Sequence, residues 1–392
     1  MTTKTTEARR WLDPPRLRTA DETAGERRAS WLELFFDLVF VVAIAELAHQ
    51  LELDHSAAGL LRFAALFVPV YVAWQGFSIY ADRFDTDDVL FRLALFAGML
   101  AVAALAVQIG DVAHGDGSAG FALAYIVLRS IMFALYGRAW RAVPAARPLI
   151  ARYGPGYAVA VAIWIASLAL DPPARYVLWG VALALDLSLP PLSTRLIRRV
   201  PTHGGHVVER WGLFTLIVLG ESVVVVALGT AGSDWQADSA ATAVAGFVAV
   251  TAVWWLYFDG LPNVEIRGNA PSIVTYSYAH LPLLMGLAAM GAGLALAIEH
   301  AGEPRLGGGP AAAYLGGPAL FLLALIVLRS VSVHGPHVLG ASIKLGAASV
   351  LVALAALQSV LPPLLLAAAP AVVLVTLLVL ERLILGQPDA SR

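Results

Sequence analysis

The chain has 392 residues, 59% of them hydrophobic and only 14% charged, with a formal net charge of −2. A soluble domain carries about 25% charged residues, and several apolar runs here exceed the ~18 residues of a spanning-helix candidate. Composition therefore excludes a soluble globular protein, gives no bias toward nucleic acid, and, with no cysteine, excludes disulfides, thiolate metal sites and cysteine catalysis.

Residues 1–29 are polar and hold Lys4, Arg9, Arg10, Arg16, Arg18, Arg27 and Arg28. No apolar stretch precedes them, so the expectation is a basic cytoplasmic arm resting on anionic lipid headgroups rather than a cleaved signal peptide. Twelve apolar segments follow, at 31–51, 60–80, 90–110, 119–139, 155–171, 175–192, 207–229, 239–259, 272–299, 312–333, 338–359 and 362–385. Long runs without strict alternation read as helices, not barrel strands. Alternating the segments from an inside N-terminus puts Arg83, Arg92, Arg138, Arg141, Arg147, Arg152, Arg195, Arg198, Arg199, Arg210, Arg267, Lys344, Arg382 and Arg392 inside. Only Arg62, Arg175 and Arg305 fall outside, as the positive-inside rule requires. The fold class is all-α: a multi-pass membrane protein of about 12 helices with both termini cytoplasmic.

The halves resemble each other. Ile126-Val-Leu-Arg-Ser130 recurs as Ile326-Val-Leu-Arg-Ser330, and Tyr80-Ala-Asp82 as Tyr257-Phe-Asp259, each of the latter following tryptophan. The matches fall in the same helix order, which implies a parallel repeat of six plus six helices. The expected organisation is an arm at 1–29, repeats at 30–200 and 201–386, and a short cytoplasmic tail at 387–392.

Ionisable side chains at lipid depth are costly and point to function or to buried pairing. In the first segment Glu33, Asp37, Phe40 and Ile44 share one helical face, with Glu46 and His49 opposite. Two acids four apart near the cytoplasmic entrance fit a cation or proton site, or pairs with arginines of neighbouring helices. In the seventh segment His206, Glu209, Arg210, Leu213, Ile217, Gly220 and Glu221 share a stripe about 120° wide. Glu221 lies ~22 Å beyond His206, near the bilayer midplane, and Gly220 beside it offers close approach to another backbone. Arg129 lies at lipid depth with Glu221 or Asp186 as its partner, and Arg329 sits nearer a helix end. In the ninth segment His280 shares a face with Tyr276 beside the kink expected of Pro282. Met285, Gly286, Met290, Gly291 and Gly293 imply close packing there.

Asp82, Asp85, Asp87 and Asp88 form an acidic inside turn, with Asp82 and Asp85 placed to cap the next helix or pair with Arg92. With His206, Glu209, Arg210 and Asp259 they outline a cytoplasmic-face motif. The pairs His203/His206 and His334/His337 have a metal-ligand spacing but lack further ligands, so no metal and no cofactor is expected. No nucleophile motif is present.

Glu33-Leu-Phe-Phe-Asp37-Leu-Val-Phe40, Tyr80-Ala-Asp-Arg-Phe-Asp85, His206-Val-Val-Glu-Arg210, Leu219-Gly-Glu-Ser222, Trp255-Leu-Tyr-Phe-Asp259 and Tyr278-Ala-His-Leu-Pro282 together resemble the bacterial low temperature requirement A family. The resemblance runs from about residue 30 to 300 and implies a bacterial inner-membrane protein without an assigned activity. Phe35-Phe36-Asp37 is also similar to the Phe-Ser-Asp motif of two-repeat lysosomal potassium channels, but Trp211-Gly-Leu-Phe in the second half lacks the acid. The reading is a proton- or cation-coupled transporter, with Glu33, Asp37, Glu221, His280, Arg129 and Asp186 on its pathway. Alternatives are a two-repeat cation channel, a membrane-embedded lipid-acting enzyme and a structural or stress-related component. The expected partners are the bilayer, a small solute or ion, and a second copy of the chain.

Overall fold

A computed structural model describes residues 12–17, 29–200, 204–232, 236–260, 267, 269–333, 335 and 338–385. Most of the basic arm, the tail at 387–392, and His203, His334 and His337 lie outside the described residues. A long apolar run in lipid must satisfy its backbone polar groups internally, and a helix does so within one segment. The described residues accordingly form twelve long helices: α1 Trp31–Leu53, α2 Ala57–Arg83, α3 Val89–Ala113, α4 Ser118–Ala142, α5 Arg147–Ser167, α6 Ala174–Ser188, α7 Gly204–Gly232, α8 Ala237–Phe258, α9 Ala270–Glu299, α10 Gly308–Ser330, α11 Val338–Ala356 and α12 Pro363–Leu385. Eleven of them, α2 to α12, anchor stretches long and apolar enough to cross a membrane. The other, α1, carries Glu33, Asp37, Glu46 and Glu52.

These match the twelve expected segments, with shifted ends. The fifth starts at Arg147 rather than 155, because Pro148 occupies the first turn, where its missing N–H costs nothing, and Pro155 is accommodated inside the helix. The sixth stops at Ser188 because Pro190-Pro191 follows.

The chain divides into two compact units, residues 1–40 with 72–207 and residues 41–71 with 208–392. In the first unit α3 packs on α4, α4 on α5 and α5 on α6. Its core is aromatic: Trp164 lies between Tyr125 and Trp179, with ring centroids 4.3 and 4.9 Å away. The α5–α6 connection is drawn tight by buried Arg175, which donates to the Leu170 carbonyl at 2.9 Å and to Ser118 Oγ at 2.5 Å.

In the second unit α9 is central, with 78% of its most apolar stretch buried. It packs along α10, and α10 packs on α11. The contact depends on glycine. A side-chain carbon at Gly286 would meet the Gly317 carbonyl, one at Gly317 would meet the Gly286 carbonyl, and one at Gly293 would meet the Tyr314 backbone. Small residues let two backbones approach where lipid supplies no hydrophobic drive. Gly220 behaves otherwise: no atom lies within 4 Å of a carbon added there, so it is not a packing site.

Candidate functional site

The first unit gathers buried acids at the α1 N-terminus. Ser30 and Glu33 form a capping box: the Ser30 amide donates to Glu33 Oε2 at 2.7 Å and the Glu33 amide to Ser30 Oγ at 3.3 Å. Glu33, Asp37, Phe40 and Ile44 are all at most 5% exposed, so the expected shared face is the buried one. Asp37 accepts from Trp74 Nε1 of α2 at 2.7 Å, a charged hydrogen bond that contributes about 1.5–3 kcal/mol.

His206, in the first turn of α7, binds this acidic region. Its Nδ1 lies 3.0 Å from Asp82 Oδ1, and its Nε2 lies 3.8 Å from Glu33 Oε1. An ionised carboxylate only accepts, so Nδ1–H donates to Asp82 and Nε2 is left as the proton-accepting nitrogen. All three side chains are buried. The ring thus stands between two buried carboxylates, hydrogen-bonded to Asp82 and within ion-pair range of Glu33. Among the described residues no three His, Asp or Glu side chains are placed to hold a metal.

The acidic turn is more structured than a solvated loop. Asp88 caps α3 by accepting from the Phe91 amide at 2.9 Å, and it pairs with Arg138 of α4. The cap is thus Asp88, not Asp82 or Asp85, and the partner of Arg92 is Asp87, at 2.7 Å. Asp82 is turned inward to His206, and Asp85 pairs with Arg16 at 2.9 Å. Residues Leu12–Leu17 lie along this turn as a strap. The Asp85 amide donates to the Arg16 carbonyl at 2.9 Å, and the Asp13 amide to Asp88 Oδ2 at 3.1 Å. Arg16 of the basic arm thus has a protein partner.

Deeper in this unit Arg129 pairs with Asp186, Nη2 to Oδ1 2.7 Å, with side chains 4% and 1% exposed. The guanidinium also stands over the Tyr157 ring, 4.6 Å from its centroid. Gly76 leaves it room, since a carbon added there would be 3.6 Å from Arg129 Nη1. Asp186 was one of two partners open to Arg129 on sequence, and it is the one bound.

In the second unit His280 is fully buried on α9. Its Nδ1 lies 2.8 Å from the Tyr276 carbonyl, one turn back, and its Nε2 lies 2.8 Å from the Tyr257 hydroxyl of α8. A carbonyl only accepts, so Nδ1 carries the proton and Tyr257 O–H donates to Nε2. The Tyr276 phenol and Thr215 adjoin Tyr257. Beside them Trp211 Nε1 donates to the Tyr71 hydroxyl at 2.9 Å, and Tyr71 donates to the Ser277 carbonyl. Side chains reach the α9 backbone at the Tyr276 and Ser277 carbonyls, in the turn before Pro282.

The buried face of α7 is not the stripe drawn from Glu209 to Glu221. Trp211, Phe214, Thr215, Val218 and Ser222 are buried, whereas Glu209 and Glu221 are half-buried and Gly220 is exposed. Glu221 and Glu299 lie within electrostatic range of Glu52 near the C-terminal end of α1. Glu221 thus has other acids in its electrostatic surroundings. Arg210 is buried beside Trp211. Asp259 is exposed, paired with Arg382 of α12 at 2.6 Å and accepting from Trp255 Nε1 at 2.7 Å. Asp82, which shares the Tyr-x-Asp pattern, is instead buried on His206.

Sequence reasoning found the charged members and missed the aromatic partners that hold them: Tyr71, Trp74, Tyr157 and Tyr257. The available signal was polar-tipped aromatics inside apolar runs, since a buried Tyr or Trp needs a hydrogen-bond partner.

Residues 28–379 match the family described as Bacterial low temperature requirement A protein (LtrA). The chain is also similar to the uncharacterized protein RA0937 of Rhizobium meliloti (strain 1021), 30% identical over 349 residues, which cover 82% of this chain and 83% of that protein. Helix pattern, motif positions and match length agree: the chain belongs to the bacterial low temperature requirement A family of multi-pass membrane proteins.

Proposed function

We propose that this protein is a proton-coupled transporter, with the Asp82–His206–Glu33 relay as the proton-exchanging site on the cytoplasmic side. The observation that carries the reading is the unequal hold on His206: Nδ1 is bound at 3.0 Å, while Nε2 faces a second buried carboxylate at 3.8 Å. Protonation of Nε2 adds a donor aimed at Glu33, which strengthens the contact between α7 and α1. Proton uptake is thus converted into a change in helix contact, which a coupled carrier requires. Asp37 extends the acidic face, and Glu221 with Glu52 and Glu299 supplies acids at the other end of the helices. His280, engaged at both ring nitrogens, ties α8 to α9 in the second unit. The reading includes an inner-membrane location with cytoplasmic termini, a parallel repeat of six plus six helices, anionic lipids at the basic arm and association of copies.

Proteoliposomes loaded with a pH-sensitive dye test this. Amino acids, carboxylates, sugars and inorganic phosphate are added outside in turn, and one class is expected to drive proton entry. His206→Gln and Asp82→Asn should reduce that response at least tenfold. Glu221→Gln reports whether the acids at the other end share in coupling. Wild-type coupling in His206→Gln, or no solute-driven proton movement with any class, overturns the reading. Ohmic currents in planar bilayers would replace a carrier by a channel.

A further inference from the structure

The first unit holds a second polar cluster, apart from the relay, built from α2, α4, α5 and α6. Arg83 is the last residue of α2 and is 5% exposed. Its guanidinium stands over Tyr153, 5.9 Å from the ring centroid, and its strongest electrostatic neighbours are the Tyr153, Tyr136 and Tyr157 phenols rather than a carboxylate. The three tyrosines form a triangle with ring centroids 5.6–6.2 Å apart. On its far side Arg129 lies over Tyr157, with Asp186 as its counter-charge.

Two features of this cluster call for a ligand. Among the described residues two guanidinium groups meet one carboxylate, which leaves one positive charge in excess. Arg83 Nε and Nη1, Arg129 Nε, the Tyr125 hydroxyl and Trp164 Nε1 are buried without a hydrogen-bond acceptor in line, whereas Arg129 Nη2 is held by Asp186. Each of these can donate, and the carboxylate of the cluster, Asp186, is already engaged by Arg129. Buried donors left unfilled cost about 1–3 kcal/mol each, so a donor-rich, cationic, aromatic-walled cluster is stabilised by an acceptor that carries negative charge. Arginine forks suit planar or tetrahedral oxyanions.

We propose that the Arg83–Arg129 cluster binds an oxyanion, a carboxylate or phosphate group, between α2, α4 and α5. The group belongs either to a free solute or to a lipid headgroup. As the solute of the coupled carrier it rests on the transport reading above, whereas binding itself does not. Proton entry with an anion would reduce the net charge moved, which suits a solute of this class.

Calorimetry on the full chain in phosphatidylcholine nanodiscs separates the two claims, since it needs no transport. Sodium phosphate and sodium succinate are titrated against chloride at equal ionic strength. One of them should bind, Arg83→Gln should weaken it at least tenfold, Arg83→Lys should recover part, and Tyr125→Phe should weaken it severalfold. Phosphatidylglycerol retained through purification is counted by mass spectrometry in parallel. Retention lost in Arg83→Gln assigns the oxyanion to a lipid headgroup, and solute binding lost at unchanged retention assigns it to a free solute. No binding above chloride together with equal lipid retention overturns the site, as does wild-type binding by both Arg83→Gln and Tyr125→Phe. Oxyanion binding without proton movement in liposomes would leave the site standing and remove the carrier.

Discussion

Asparagine at Asp186 removes the only carboxylate in contact with the Arg129 guanidinium among the described residues, at a separation of 2.7 Å. Two unit charges at that separation attract by about 6 kcal/mol at an effective dielectric constant of about 20. Part of this attraction offsets the desolvation of both groups, which are 4% and 1% exposed. Removing one partner of such a pair typically costs about 3–5 kcal/mol, because the other charge stays buried. Polar groups in a membrane also find partners when the bundle is unfolded, which lowers the difference. We expect Asp186→Asn to destabilise the protein by about 3 kcal/mol. The double variant Arg129→Met with Asp186→Leu should return to within about 1 kcal/mol of wild type. The assay is reversible unfolding by SDS in mixed micelles, followed by tryptophan emission. A loss below about 1 kcal/mol for Asp186→Asn, or a double variant whose loss equals the sum of the singles, refutes the argument that the pair is held by mutual charge.

Three further outcomes follow from the packing and the caps. Gly317→Val, which drives side-chain carbons into the α9 backbone, should cost about 1–3 kcal/mol. Gly316→Ala, with nothing within 4 Å, should stay within about 0.5 kcal/mol in the same unfolding measurement. Tyr257→Phe removes the hydrogen bond to His280 Nε2 and should cost about 1–3 kcal/mol, with nitrogen NMR of the ring still reporting a proton on Nδ1. Asp54, before α2, has its carboxyl pKa lowered by hydrogen bonding from Ser56 and by Arg62. Its contribution is therefore complete above the ordinary carboxylate value and is lost as pH falls through the lowered one. An NMR titration should place the Asp54 midpoint below that of an unstructured aspartate, and Ser56→Ala should move it up.

The number and order of helices were legible because lipid imposes one demand on every segment, a length of apolar chain. Their ends were less so, as at Arg147, because Pro148 and Pro155 act through local backbone geometry that a hydropathy count does not register. Glu33 and Asp37 were given one face and are both buried, since i and i+4 spacing decides that within the helix. What each acid binds was not legible: Asp82 on His206, Asp88 on Arg138 and Asp186 on Arg129 join residues 50 or more positions apart, and only the folded arrangement selects among similar partners. That Glu221 is only half-buried has a related cause. A helical wheel reports which residues share a stripe, and the stripe that turns inward on α7 is chosen by Trp211 and Phe214, the bulkier side chains.

The strap at Leu12–Leu17 orders events in time. Asp13 is made first, yet its carbonyl accepts from Arg138, 125 residues later. At about 5–20 residues per second of synthesis, the segment waits roughly 6–25 s before its seat exists. Asp88 meets its α3 cap amide almost at once and Arg138 only when α4 is complete. Residues translated before α1 are thus among the last to be fastened, and their fastening reports that four helices have been made. A protease site placed within the strap would be cut during synthesis and protected afterwards, so the moment of protection times assembly of the first unit.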